Sequence, residues 1–155
     1  MISTSPDKTS MAILRILQED GRTTINELAD CVGLSASAVA RRVRLLEEAR
    51  IISGYAALID EVELGFGFSV FVSVKLDRQV DSALAKFEAA IRAFPEVVDC
   101  WLMTGNRDYL LRVSTRGLAE FERFLVGRFT KVPGVASIES SIPLRRVKTG
   151  LARIS

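Results

Sequence analysis

The sequence contains no histidine and only two cysteines among its 155 residues. Histidine is the side chain that most often transfers protons near neutral pH and binds zinc, so its absence lowers the expectation of an enzyme. Cys31 and Cys100 lie far apart and lack CxxC spacing, which indicates neither a zinc site nor a disulfide scaffold. We therefore expect no catalytic residues, no metal and no cofactor.

The sequence also lacks long apolar runs and a large excess of charge. No apolar run reaches 18 residues, and the first ten residues have neither the basic region nor the apolar core of a signal peptide. The sequence thus predicts no membrane partner and a cytoplasmic location. The net charge is only +2, and residues 1–60 hold seven Lys/Arg and eight Asp/Glu. Any contact with nucleic acid must depend on local clustering, and modest affinity per domain favours a binder that oligomerises.

The segment of residues 23–53 has the pattern of two helices joined at a tight turn. Thr24 precedes a first run in which apolar residues recur at helical spacing. Gly33 ends that run because glycine leaves a helix without a Cβ penalty, and Ser35 is a suitable N-cap for a second helix. Spacing predicts the buried residues of the second helix to be Val39, Val43 and Leu46. These features together indicate a helix-turn-helix.

The opposite face of the second helix is basic. Three arginines fall within four residues, and no acid occurs in this helix before Glu47. Because the second helix of this motif enters the DNA major groove, double-stranded DNA is the expected partner. The predicted DNA-binding residues are Thr24, Ser35, Ser37, Arg41, Arg42 and Arg44. The alternative is a helical hairpin that only packs or binds protein, with its arginines solvated.

The chain is predicted to contain two domains of different pattern. Residues 1–60 would form the DNA-binding head, with a first amphipathic helix and a wing-like strand at 53–60, and residues 61–67 would be a linker. In residues 68–155 the spacing predicts strands at 68–76, 97–104 and 109–114, helices at 82–94 and 118–129, and a last strand through Ile138, Ile142 and Leu144. This order is the βαββαβ ferredoxin-like unit. The predicted fold class is α+β, a winged helix-turn-helix head followed by a ferredoxin-like domain.

One face of the predicted sheet remains apolar after the helices are placed. The helices cover one side, and alternation places Phe71, Trp101 and Leu110 on the other. An apolar sheet face of this kind usually meets a partner, so we expect a homodimer through this domain. The alternative is that the linker or the head covers it.

The chain is predicted to contain a helix-turn-helix, a linker and a βαββαβ domain in that order. With this organisation it resembles the Lrp/AsnC (feast/famine) family of prokaryotic transcriptional regulators. The head motif consists of Asp20-Gly21-Arg22, Leu28-Ala29, Val32-Gly33-Leu34-Ser35, Val39, Arg42-Val43, Leu46-Glu47, Ile52 and Gly54-Tyr55. In the second domain the matching residues are Gly105, Asp108 and Tyr109 of a glycine–aspartate–tyrosine turn and Pro133-Gly134-Val135. The resemblance spans essentially the whole chain.

The resemblance implies a regulator whose assembly and DNA binding respond to an amino acid or related small molecule. Members form dimers, often assembled into octamers, and effectors bind where dimers meet. The implied effector-binding residues are Leu102, Gly105, Asn106, Arg107, Asp108, Ser140 and Ser141. Asp108 would pair with an ammonium group, and Arg107 would clamp an anion. The alternative is that Gly105 and Asp108 only shape a tight turn.

Three positions depart from the family pattern. Ser10 stands where many members carry an acid, and Asn106 where an acid is common in the turn. Arg50 replaces the glycine that usually ends the recognition helix, and a left-handed cap there would cost roughly 1 kcal/mol. We therefore expect the helix to end differently and Arg50 to be available to phosphate.

Two other functions compete with a regulator. A small-molecule-sensing module without DNA binding is one, and the arginines of the second helix argue against it. A siroheme-decarboxylase-like enzyme is the other, and the lack of histidine argues against that chemistry.

Overall fold

The computed structural model describes residues 6–148. These residues fall into two compact units: the residues up to Leu58 together with Val147 and Lys148, and Ile59–Arg146. Segment 61–67, expected as a linker, thus groups with the second unit. The parts of the two predicted domains at 1–5 and 149–155 lie outside the described residues. No helix within residues 6–148 has the length and apolarity needed to cross a membrane.

The first unit is built from three helices. They are α1 (Lys8–Glu19), α2 (Ile25–Val32) and α3 (Ala36–Glu48). The side chains of Asp7, Thr24 and Ser35 cap the N-termini of α1, α2 and α3, because each accepts a hydrogen bond from a backbone N–H of the first turn. Gly33 leaves α2 with a φ of 67°, a left-handed conformation suited to glycine. The core consists of Ile13, Leu28, Ala29, Val39, Val43 and Leu46, which confirms the predicted buried face of α3.

The end of α3 corrects one expectation. Arg50 adopts a φ of 58°, and it is the one non-glycine residue with positive φ in the described chain. Its N–H donates to the Glu47 carbonyl at 3.0 Å, and the Ile51 N–H donates to the Leu46 carbonyl at 2.9 Å. This is the hydrogen-bond pattern with which a glycine normally ends a helix. Arg50 therefore adopts the left-handed conformation itself, and α3 ends as it would with a glycine, contrary to the expectation that the helix would end differently.

The expected wing-like strand at 53–60 is not formed. Residues 53–60 have no regular secondary structure, and all are exposed. A strand needs a neighbouring strand to satisfy its backbone groups, and none of the described strands pairs with this segment. Tyr55 instead donates its hydroxyl to Glu47 Oε1 at 3.0 Å and so lies against α3.

The second unit is a four-stranded antiparallel sheet with two helices, as predicted. Its elements are β1 (Phe68–Leu76), α4 (Asp81–Arg92), β2 (Val97–Leu102), β3 (Tyr109–Thr115), α5 (Leu118–Gly127), a short 3₁₀ turn (Phe129–Lys131) and β4 (Val135–Ser141). The strand order is β2-β3-β1-β4. Ile142 and Leu144, expected in the last strand, lie beyond its end and are exposed. Pro143 between them has no N–H to donate to a ladder, which explains the early end.

The two sides of the sheet differ in packing. On the helix side, Val70, Val72 and Val74 are buried among the aromatic residues Phe87, Tyr109, Phe121, Phe124 and Phe129. On the open side, the register places Leu110 opposite both Trp101 and Ser73. Phe71 lies two residues before Ser73 on β1 and therefore on the same face of the sheet. The predicted position of Phe71, Trp101 and Leu110 on one open face is therefore confirmed.

Candidate functional site

The outward face of α3 carries two of the predicted arginines. Ser37, Arg41 and Arg44 are exposed on the side opposite the buried Val39 and Val43, as the helical spacing predicts. Ser37 Oγ lies 3.2 Å from the oxygen of the capping serine, so two hydroxyls stand at the start of the helix. Hydroxyls and backbone N–H groups at a helix start suit phosphate oxygens.

The two outward arginines differ in their partners. Arg44 Nε lies 3.7 Å from Glu48 Oε1, a loose pair one helical turn apart in which both side chains are largely exposed. Arg41 has no carboxylate within salt-bridge distance among the described residues. Its guanidinium is therefore free to contact a phosphate or a base edge, whereas the charge of Arg44 is partly compensated.

Arg42 does not belong to this face. Its Nη1 donates to both carboxylate oxygens of Asp7, at 2.9 and 2.7 Å, and to Ser10 Oγ at 3.1 Å. These bonds connect α3 to the start of α1. The backbone N–H of Ser10 and then the guanidinium of Arg42 lower the pKa of Asp7 to about 2. The structure therefore gives no support to the predicted DNA contact of Arg42, because its Nη1 is used inside the head.

Thr24 is also engaged within the head. Its hydroxyl donates to Glu27 Oε2 at 2.7 Å and accepts from the Glu27 N–H at 3.3 Å, and its own N–H donates to the same carboxylate. This capping box lowers the pKa of Glu27, mainly through the backbone hydrogen bond. A carboxylate at this position repels phosphate. Thr24 therefore caps α2, and the structure gives no support to its predicted DNA contact.

The turn between β2 and β3 holds four of the predicted effector-binding residues. It closes through the Met103 N–H, which donates to the Asp108 carbonyl at 2.8 Å. Gly105 has a φ of 108°, a backbone conformation that other residues rarely adopt. Gly105 and Asn106 are exposed, so their backbone groups are accessible from solvent.

Asp108 has the position of a structural residue, as the alternative of a tight turn allowed. The residue is buried, and its Oδ2 accepts from the backbone N–H of Leu76 at 2.7 Å. Its Oδ1 accepts from Gln79 Nε2, and its own N–H donates to the Val74 carbonyl at 2.8 Å. Both carboxylate oxygens are already occupied by protein donors. Asp108 therefore anchors the turn to the end of β1, and the structure gives no support to its predicted pairing with the ammonium group of a ligand.

Arg107 reaches from the turn to β4. Its Nη1 donates to Ser137 Oγ and its Nη2 to Glu139 Oε2, both at 2.7 Å. Sequence reasoning missed Ser137 and Glu139 because they approach the turn only once β4 pairs beside β1. The signal in the sequence was the alternation of polar Ser137 and Glu139 with apolar Ala136 and Ile138 along the strand.

Of the remaining predicted effector residues, Leu102 flanks the turn at the end of β2, whereas Ser140 and Ser141 lie away from it on β4. Leu102 lies on edge strand β2 and Ser140 on β4 at the opposite edge, both in register with residues of the helix side. Ser141 lies about 13 Å along the strand from Ser137 at 3.3 Å per residue. Two shallow depressions of about 400 Å³ lie against α1 and α2 and against α5, and neither includes a residue of the turn.

An ionic cluster on the open side of the sheet was not predicted. Arg112 donates to Glu61 at 2.8 and 3.1 Å and to Asp99 at 3.0 Å. The hydrogen bonds from Arg112 lower the pKa of Glu61. The hydroxyl of Ser114 donates a hydrogen bond to the carbonyl of Phe66. Segment 61–66 therefore covers part of the open face, as the alternative interpretation allowed.

Comparisons with known proteins define the class to which these two units belong. Residues 6–53 match the family model of a winged helix-turn-helix DNA-binding domain, and residues 69–152 match the Lrp/AsnC ligand binding domain. The fold is thus that of a DNA-binding transcriptional regulator with a ligand-binding domain. The chain belongs to the Lrp/AsnC family of transcriptional regulators, as its resemblance implied.

Individual relatives match over nearly the whole chain. The chain is 46% identical over 141 residues to the Bkd operon transcriptional regulator of Pseudomonas aeruginosa, covering 91% of the chain and 92% of the relative. It is 40% identical to the leucine-responsive regulatory protein of Rhizobium meliloti, covering 92% and 91%. A Neisseria meningitidis transcriptional regulator solved as a complex with L-methionine superposes with a TM-score of 0.89 at 36% identity, covering 94% of each chain.

Proposed function

We propose that this regulator contacts DNA through the outward face of α3 and that an amino-acid effector alters its DNA binding. The observation that carries the proposal is the different use of the three arginines. Arg42 is used inside the head, while Arg41 and Arg44 stay on the exposed face. A helix that needed its basic residues only for packing would not leave these two outward.

The start of α3 supports the orientation of this contact. Ser35 and Ser37 place hydroxyls at the N-terminal end of the helix, where backbone N–H groups and the helix dipole favour a phosphate. Arg41 then lies one helical turn further along, within reach of a base edge or the next phosphate. Ser35, Ser37, Arg41 and Arg44 are the residues to which we assign DNA contact.

An amino acid is the effector that we propose. One solved relative is described as a complex with L-methionine and another relative is named leucine-responsive, which supports this class of ligand. In this chain the support is the exposed glycine turn with Arg107 beside it. Backbone N–H groups at such a turn and a guanidinium fork both bind carboxylates well.

Self-association is proposed through the open side of the sheet. Trp101 is 44% exposed there, and Leu110 lies opposite it on the neighbouring strand. A partly exposed tryptophan on the open side of a sheet is a typical anchor of an interface. We propose a homodimer through this face with further assembly of dimers, to octamers as the family resemblance implies.

We propose a non-catalytic role in the cytoplasm, beside the chromosome. The matched relatives are named as transcriptional regulators. Burial, followed by the charge of Glu88, raises the pKa of Cys100 to about 11. The thiol therefore stays protonated near neutral pH and is a weak nucleophile.

A DNA-binding titration tests the proposed function. The full chain is titrated into a fluorescent duplex taken from the DNA upstream of its own gene, with each standard L-amino acid at millimolar concentration. We expect at least one amino acid to change the affinity roughly five- to 150-fold, the usual size of allosteric coupling. A random duplex of equal length is the control. Unchanged affinity with every amino acid would refute the effector role, and equal affinity for both duplexes would refute sequence-specific binding.

A further inference from the structure

The segment that precedes β1 folds into a tight turn, here called the 60–66 turn. Asp60 Oδ1 accepts a hydrogen bond from the backbone N–H of Val62 at 2.9 Å. The backbone N–H of Phe66 donates to the carbonyl of Glu61 at 2.7 Å, which brings the two ends of the turn together. The turn therefore has a defined shape of its own.

Three side chains fasten the 60–66 turn to the open side of the sheet. Arg112 donates from both terminal nitrogens to the carboxylate of Glu61, at 2.8 and 3.1 Å. Ser114 donates to the carbonyl of Phe66 at 2.9 Å, and the guanidinium of Arg116 lies 5.3 Å from the centre of the Phe66 ring. Both ends of the turn are thus held by residues that alternate along β3 and just beyond it.

The fork between Arg112 and Glu61 is partly shielded from water. Only 26% and 35% of the two side chains are exposed, so solvent screens this pair less than it screens a fully exposed one. Two parallel N–H···O bonds also fix the orientation of both groups. The fork is therefore the strongest of the contacts that hold the turn.

Fastening the turn shortens the free chain between the head and the sheet. Ile52 still packs against the core of the head, and residues 53–60 are exposed and irregular. With the turn held at Glu61, this connection has eight residues, whereas release up to the start of β1 extends it to fifteen, from 53 to 67. The effective concentration of a tethered module falls as roughly the −3/2 power of tether length, so release lowers it about two- to three-fold.

We propose that Arg112 is a positioning residue for DNA binding, because through Glu61 it limits how far the two heads of a homodimer can spread along DNA. The inference rests on the proposed homodimer, since the effect requires two heads on one duplex. A dimer whose heads occupy two half-sites gains affinity from the tether between them. A short tether favours one separation of the half-sites, and a longer tether tolerates others. The fork therefore sets the discrimination between half-site spacings.

Titration of the full chain into three duplexes tests the proposal. Footprinting with wild type defines the protected segment of the DNA upstream of its own gene. One duplex keeps the whole segment, one keeps half of it, and one carries five extra base pairs at its centre, about half a helical turn.

The expected result is a loss that depends on the duplex. Glu61→Ala and Arg112→Gln should bind the whole segment about two- to three-fold more weakly than wild type and the half segment equally well. The insertion of five base pairs should cost both variants less affinity than it costs wild type, because their longer tethers reach the displaced half-site.

Two further variants serve as controls. The double variant of Glu61→Ala with Arg112→Gln should bind as each single variant does, because both changes remove the same bond. Asp99→Asn changes the other partner of Arg112 and leaves the fork to Glu61 in place, so it should bind as wild type does. Light scattering and melting curves show that each variant is a folded dimer, and Glu61→Ala decides the outcome if Arg112→Gln is not.

The outcomes separate the fork from the homodimer. Equal affinity of wild type for the whole and the half segment would overturn the proposed two-headed binding itself. Binding of Glu61→Ala to all three duplexes with the affinities of wild type would overturn only the positioning role of the fork. Equal weakening of Glu61→Ala on the whole and the half segment would overturn that role as well, since the effect would then lie within one head.

Discussion

The change Asp108→Ala should destabilise the second unit. It removes the acceptor of the Leu76 N–H, which lies at a residue only 3% exposed, and an unsatisfied buried donor costs about 1–3 kcal/mol. Loss of the bond from Gln79 adds about 0.5–1.5 kcal/mol. We expect a decrease of about 1.5–4.5 kcal/mol in the free energy of unfolding, and a smaller one for Asp108→Asn, which keeps one carbonyl acceptor.

Urea unfolding followed by tryptophan fluorescence measures this change. Trp101 is the single tryptophan of the chain and lies on β2, two residues before Met103 of the turn, so its signal reports on the affected unit. Protein concentration is held equal, since self-association shifts apparent stability. Gln79→Ala is the matched control, with an expected loss of about 0.5–1.5 kcal/mol. An Asp108→Ala midpoint equal to that of wild type would refute the anchoring role and leave the carboxylate free for a ligand.

Three further predictions concern the head and the open sheet face. Arg50→Gly should raise the unfolding midpoint of the helical signal by relieving about 1 kcal/mol of left-handed strain, whereas Ala49→Gly, at a right-handed position, should lower it. The pKa of Asp7 should be about 2 by carboxyl NMR titration, so its stabilising effect is present above pH 3.8 and is lost as the pH falls through about 2. Arg42→Gln should raise that pKa only part of the way, because the Ser10 backbone bond remains; an unchanged value would contradict the pairing. Trp101→Glu should give a smaller species than wild type in light scattering and weaken DNA binding, and a monomeric wild type would contradict the proposed interface.

Local features of the head were predictable because they depend on neighbouring residues. Ser35 caps α3 and Gly33 ends α2 within one turn of the chain, so spacing and residue type were sufficient. Arg50 shows the limit of such rules. Its left-handed conformation costs about 1 kcal/mol, which the remaining interactions of the helix end outweigh.

The partners of charged side chains were not predictable in the same way. Arg42 pairs with Asp7 across 35 positions, and Asp108 meets Leu76 across 32. Neither spacing leaves a periodic signal in the sequence. Arg107 reaches Glu139 only through the pairing of β4 with β1, which the order of strands along the chain does not fix. The fold was therefore predictable from the sequence, whereas the hydrogen-bond partners of Arg42, Asp108 and Arg107 were not.

The affinity of Arg41→Gln for the upstream duplex tests the central claim most directly, namely that the outward face of α3 contacts DNA. If the arginine contacts a base, we expect the free energy of DNA binding to weaken by about 1–3 kcal/mol. If it contacts a phosphate, we expect the slope of log affinity against log salt concentration to become shallower by about one. Arg92→Gln, which removes another exposed positive charge, this one from α4, should bind as wild type does. An affinity and a salt dependence of Arg41→Gln equal to those of wild type would contradict the claim.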